Sequence, residues 1–148
     1  AAGGFLAADG ARRAPEAGLP PPCFAMLIYP VIGGEETPSM HRFTDTPMWN
    51  ARLNAKMWKY YAAGNQVILP GNRDLRAFPA AYVETAEFDC LHDEGARFAE
   101  RLAAAGVSVQ YNETKGTMHG FDAARKSAAA VKAVKERAAA LRRAFEGQ

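Results

Sequence analysis

The stretch that most limits the fold is Cys23–Val31, CFAMLIYPV, an apolar run of strand length closed by Pro30. A strand wetted on one face alternates apolar with polar residues. A strand apolar on both faces reads instead as an interior member of a parallel sheet covered by helices. Two more segments qualify as strands, 80–86 and 107–113, and each is followed by a helical pattern. The order strand–helix–strand–helix makes the chain α/β, with right-handed crossovers expected. If the three strands pair in chain order, 24–29 is left as a hydrophobic edge, which natural sheets avoid. The reading therefore expects a missing upstream segment, in keeping with a chain that begins without Met.

The remaining elements follow from periodicity and punctuation. Gly3-Gly4 precede a helix-compatible segment, Phe5–Arg13, and permit close backbone approach, with tight packing favoured over ligand binding. Gly18 and Pro20–Pro22 end it. The segment 33–79 is too long for a simple crossover and is expected to be an inserted lid or pocket wall. Within it Trp49–Ala63 is helical, with Leu53, Met57 and Tyr60 or Tyr61 on one stripe that reads as core before substrate platform. A helix over 93–105, capped by Asp93 or a neighbour, turns Phe98 and Leu102 inward and closes at Gly106. A last helix repeats Ala124, Ala128, Val131, Val134, Ala138, Leu141 and Phe145, a stripe expected to face the sheet.

Composition excludes several functions. The 148 residues suit one domain, and 49% apolar with 23% charged is ordinary globular usage. A net charge of +2 gives no footprint for nucleic acid or anionic lipid. No run reaches the roughly 18 apolar residues of a membrane span. Cys23 and Cys90 read as reduced, buried thiols, which makes the cytoplasm the default location. No cluster has metal-ligand spacing, and no complete Gly-rich nucleotide motif is present, so neither metal nor cofactor is expected.

The chemistry concentrates in Ala80–Gly95, AAYVETAEFDCLHDEG, and in Gly116–Phe121, GTMHGF. Open α/β sheets bind ligands outside the carboxyl ends of their strands. Asp89 and His119 follow successive strands separated by one helix, so both emerge at the same sheet edge, where an Asp can orient an imidazole. Singly, each residue has a plainer role. Asp89 can cap a turn, Glu87 can pair with an Arg, and His92 reads as solvent-facing. His41 is a loop histidine with no assignment.

At these residues the chain resembles the hormone-sensitive-lipase-like group of α/β-hydrolases, mostly bacterial carboxylesterases. The resemblance rests on Glu84–Gly95, on Gly116–Phe121, and on Leu27–Val31, which is similar to the strand after the nucleophile helix. Cys90 stands where the family often has Pro, and His92 where Arg is common. The resemblance implies the C-terminal portion of an α/β-hydrolase fold, a mostly parallel sheet flanked by helices, without the N-terminal strands and the nucleophile elbow. It implies that Asp89 is the triad acid and His119 the general base. The family's nucleophile sits in a G-[DE]-S-A-G-G elbow. Aligned on Ala-Gly-Gly, Ala1 takes the place of the serine, and the backbone N–H of Ala2 that of an oxyanion donor. Ser39, Ser108 and Ser127 read as loop, strand and helix residues without an elbow around them.

By that resemblance the substrate is a short-chain carboxylic ester, a small molecule, cleaved by Ser-His-Asp acyl transfer. The chain alone is expected to be inactive and to require a missing N-terminal segment. A homodimer is compatible with the reading; other substrate-binding residues are not assigned. Two further classes stay open: a non-catalytic ligand-binding relative on the same fold, and a small structural α/β domain.

Overall fold

The computed structural model describes residues 1–147. Three strands, β1 (Ala25–Ile28), β2 (Ala81–Ala86) and β3 (Val109–Thr114), form one parallel sheet in the order β1-β2-β3. Ala25 pairs with Ala81, and Ala81 with Val109, so the carboxyl ends of β2 and β3 lie side by side. Among the described residues five α-helices accompany them: α1 (Ala2–Glu16), α2 (Pro38–Arg42), α3 (Ala51–Ala62), α4 (His92–Ala104) and α5 (Ala128–Glu146). The architecture is the expected α/β, and β1 is an edge strand among the described residues.

The alternation of side chains along β2 divides the core into two layers. Ala81 and Val83, with Ala25 and Leu27 of β1, meet Ala8 and Ala11 of α1 and Phe98, Ala99 and Leu102 of α4. Ala86 meets Ala133 of α5 and Phe121 on the other side. Every β2 residue is buried, and β2 is the central strand. Close approach of α1 to β1 explains one of the paired glycines. A Cβ on Gly4 would lie 2.6 Å from Pro30 Cβ and 2.9 Å from Pro30 Cα, whereas one on Gly3 would meet nothing.

Four expectations fail here. The inward face of α5 is Ala130, Ala133 and Ala140, while Val131, Val134 and Phe145 are exposed. The cause is Arg137, which shares the inward side and ion-pairs with the fully buried Glu84 of β2 at 2.6 Å. That pairing sets the rotation of the helix, and an apolar count cannot register it. The aromatic stripe of α3 is also not core: Leu53, Tyr60 and Tyr61 are exposed, and only Met57 and Trp58 pack inward. Asp93 does not cap α4; its carboxylate accepts from Ser39 N at 2.8 Å instead. Cys23 is exposed because it precedes β1, and only Cys90 is buried.

The segment 33–79 carries α2 and α3, and its residues divide between two parts of the core, Leu75 and Phe78 joining the α1–α4 layer. Met40, Phe43, Trp49, Met57 and Trp58 lie against Phe5, Val31, Cys90 and Leu91. Three side chains start helices locally: Thr37 accepts from Met40 N, Asn50 from Leu53 N, and Ser127 from Ala130 N.

Candidate active site

β2 and β3 end together, and the turns that follow them are bonded to each other. Glu87 N donates to Thr114 O at 3.2 Å and Phe88 N to Thr117 O at 2.9 Å. Glu87 takes no Arg partner; its carboxylate accepts from Gly116 N at 2.7 Å and faces Lys115. Gly116 and Gly120 adopt positive φ of 69° and 77°, the left-handed turns that fold the His loop back over the sheet edge.

This brackets Asp89 and His119. Asp89 has no exposed surface and His119 is 9% exposed. One Asp89 oxygen accepts from Leu91 N at 3.0 Å, and the other meets His119 Nδ1 at 2.6 Å. An ionised carboxylate only accepts, so the contact assigns a proton to Nδ1 and leaves Nε2 as the ring's other nitrogen. An imidazole held in this tautomer is able to take a proton at Nε2 while Asp89 stabilises the cation that results.

Two aromatic rings flank the imidazole: Tyr29, to which the sequence assigns no role, and Trp49, whose place one turn before Leu53 on the aromatic stripe reads as core before substrate platform. The Tyr29 ring lies 4.2 Å from that of His119, centroid to centroid, and the Trp49 ring 6.0 Å away. Trp49 comes from the segment 33–79. Its neighbour Met48, held at φ 70°, approaches Gly120 so closely that a Cβ there would come within 3.1 Å of Met48 Cε. Tyr29 belongs to the strand that resembles the family, and its position after β1 was the only available signal. Trp49 gave none beyond its place on the stripe.

The other expected residues fall into place around this pair. Ala1 stands at the head of α1, and its carbonyl accepts from Val31 N at 3.2 Å. Ala2 is the first residue of α1, where a helix leaves the N–H without an intrahelical partner. Ser39 sits in α2, not a loop, and its hydroxyl donates to Cys90 O at 2.9 Å. Ser108 precedes β3 and Ser127 caps α5. Burial, then the charge of Asp89, pushes the Cys90 thiol up, which keeps it protonated and unreactive.

His92 departs from its expected exposure. Its side chain is mostly buried, with Nδ1 2.8 Å from Asp93 and Nε2 2.8 Å from Glu113, so it ties α4 to β3. Glu94 was not singled out from the sequence. It is buried on the first turn of α4 and accepts from Ile32 N at 2.6 Å and Gly33 N at 2.7 Å, pinning the chain just after β1. No cluster of three or more His, Cys, Asp or Glu able to hold a metal occurs among the described residues. No helix among them is long and apolar enough to cross a membrane.

Comparison with known proteins bears on the fold and the family. The family profile described as alpha/beta hydrolase fold matches residues 1–123. Carboxylesterase NlhH of Mycobacterium tuberculosis (strain CDC 1551 / Oshkosh) is 35% identical over 130 residues, covering 81% of this chain and 41% of that protein. Esterase LipI of Mycobacterium tuberculosis (strain ATCC 25618 / H37Rv) is 34% identical over 128 residues, covering 81% and 40%. Among solved structures, esterase LipW from Mycobacterium marinum superposes with a TM-score of 0.94 at 33% identity over 98% of this chain and 48% of its own. A bacterial heroin esterase gives 0.90 at 35% identity over 96% and 49%. The chain thus spans about two fifths of the length of these curated relatives. On the profile match, the carboxylesterase relatives and the superpositions together, the chain belongs to the α/β-hydrolase fold family.

Proposed function

We propose that the protein carrying this chain hydrolyses short-chain carboxylic esters, with Asp89 and His119 as two members of a Ser-His-Asp triad. The observation that carries the reading is the 2.6 Å contact between His119 Nδ1 and a fully buried Asp89, at the ends of adjacent parallel strands. The esterase relatives support the substrate class. In the proposed reaction His119 Nε2 takes the proton of a serine hydroxyl as its oxygen adds to the ester carbonyl. The tetrahedral intermediate then expels the alcohol, which leaves with that proton. Water, deprotonated by His119 in turn, attacks the acyl-serine and releases the acid. Backbone N–H groups hold the oxyanion, Ala2 N–H among them. The segment 33–79 serves as the pocket wall, a role supported by Trp49 beside His119.

Ala1 occupies the nucleophile position in the Ala-Gly-Gly alignment, and among the described residues the side-chain partner of His119 is Asp89, not a serine. The chain alone is therefore proposed to be inactive. A fluorophosphonate label and a p-nitrophenyl acetate assay test this: no adduct and no burst of nitrophenol are expected. A stoichiometric serine adduct with turnover would overturn it. In a longer protein bearing the serine, Asp89→Asn is expected to lower kcat by about 10⁴-fold, as loss of the orienting carboxylate does in serine hydrolases. Unchanged turnover in that variant would remove Asp89 from the triad. A homodimer through the exposed Val131, Val134 and Phe145 stripe of α5 completes the proposal. The unpaired Cys23 and Cys90 support a reducing, cytoplasmic setting.

A further inference from the structure

On the face of the sheet opposite α1 and α4, an unbroken run of polar contacts starts beside the site and crosses the sheet. Tyr29 OH donates to Asp122 Oδ1 at 2.7 Å. Arg137 Nη1 donates to the other Asp122 oxygen at 2.7 Å. The same guanidinium grips Glu84 through Nη2 at 2.6 Å and Nε at 3.1 Å. Tyr82 OH closes the run on Glu84 at 2.7 Å. Glu84 and Tyr82 have no exposed surface, so the far end is anchored in the rigid central strand.

The near end is held just as firmly. Tyr29 N continues the ladder to Glu84 O at 2.7 Å, yet its φ is +32°, a strained value for a non-glycine residue. That backbone turns the phenol out of the strand direction and lays its ring against His119. Strain of this kind persists only where surroundings over-determine it, and the tether to Asp122 supplies that constraint. Asp122 belongs to the same loop as His119, so the hydroxyl also fixes the loop on which the imidazole rides.

We infer that Tyr29 is a positioning residue for His119: its ring sets the plane of the imidazole while Asp89 sets the tautomer, and its hydroxyl, locked by Asp122 and Arg137, holds that ring in place. Asp89 alone fixes one atom of the ring and leaves it able to swing about the Nδ1 contact. A tilted ring contact at 4.2 Å, with 49° between the planes, restricts that freedom, and a base displaced by 1 Å loses on the order of 10²-fold in rate. The catalytic consequence rests on the proposed role of His119; the positioning itself does not.

The test uses the full chain and the ring ¹⁵N and downfield ¹H resonances of His119. The unsubstituted chain is expected to show one Nδ1–H tautomer with a slowly exchanging ring proton. Tyr29→Phe, which keeps the ring and drops the hydroxyl, is expected to speed exchange of that proton by about ten-fold or more, the scale of one hydrogen bond to a charged acceptor. Asp122→Asn is expected to do the same, and the double variant no more than either single one. The rise in exchange should exceed what the loss of unfolding free energy of Tyr29→Phe, measured in urea, accounts for, which separates positioning from general loosening. An exchange rate indifferent to Tyr29→Phe, or effects of the two substitutions that add, would overturn the inference while leaving the esterase reading intact. An unsubstituted chain with no Asp89-bonded ring proton would sink both.

Discussion

At Glu94 burial and hydrogen bonding oppose each other. Burial raises its pKa to about 7 from an ordinary 4.5; the N–H groups of Gly33 and Ile32 pull downward, and the charges of Asp89 and Glu35 push upward. One oxygen carries both N–H bonds, and the other, Oε1, is buried without a partner. The native state thus holds this proton more tightly than the unfolded chain does. The stabilisation from protonating Glu94 is complete below about pH 4.5 and is lost as pH rises toward 7. Glu94→Gln keeps an acceptor for Ile32 and Gly33 and removes the titration. Urea unfolding should give this variant a flatter stability profile between pH 5 and 8, with a gain at pH 8 of up to about 3 kcal/mol. An unchanged slope would show that Glu94 ionises normally. The residue scale is also where the sequence was most readable. Asp89 and His119 stand at strand ends among turn residues, so their meeting follows from topology and needs no knowledge of side-chain packing. Glu94, Tyr29 and Trp49 matter through contacts with distant segments, and their neighbours in sequence say nothing of that.

Elements differ in how far pattern alone can orient them. α4 turns Phe98 and Leu102 inward as its spacing predicts, because large apolar residues have one good place to go. α5 misleads because its inward residues are small alanines and an arginine, while its larger apolar residues are outside. The buried Glu84, many residues away, together with Asp122, explains an inward Arg137. Arg137→Met should therefore cost about 3–5 kcal/mol by stranding a buried carboxylate. Pairing it with Glu84→Gln should recover much of the loss, as read by chemical denaturation; equal losses in both variants would mean that the ion pair does not set the helix. The α1–β1 contact offers a sharper comparison. Gly3→Ala, with open space around it, should stabilise α1 by about 0.5–1 kcal/mol through helix propensity. Gly4→Ala should destabilise by about 1–3 kcal/mol, since its methyl would strike the Pro30 backbone. Equal effects at the two positions would contradict the close packing of α1 on the chain after β1.

Two exposed surfaces bear on the proposed homodimer, and they predict different behaviour. Along β1, Ala25 N donates to Ala80 O and Tyr29 N to Glu84 O, both toward β2. Residues of a parallel strand alternate in this respect, so the N–H groups of Met26 and Ile28 between them point away from the sheet. The stripe on α5 is the second surface. Its helix has 19 residues, a length of about 28 Å. Taken about 10 Å wide, it offers roughly 300 Å² per copy, well below the roughly 800 Å² per partner of a stable interface. A dimer through α5 alone is accordingly weak and dissociates on dilution. Val134→Glu, at a position 55% exposed, adds a charge to that stripe without touching the core. Met26→Pro removes an outward N–H and leaves the β1–β2 ladder in place, as proline on an edge strand does. Sedimentation velocity over a concentration series separates the two. The homodimer proposed here predicts monomer for Val134→Glu and unaltered dimer for Met26→Pro. The reverse outcome, dimer lost only with Met26→Pro, would place association at the open edge of β1 and leave the α5 stripe without a partner copy.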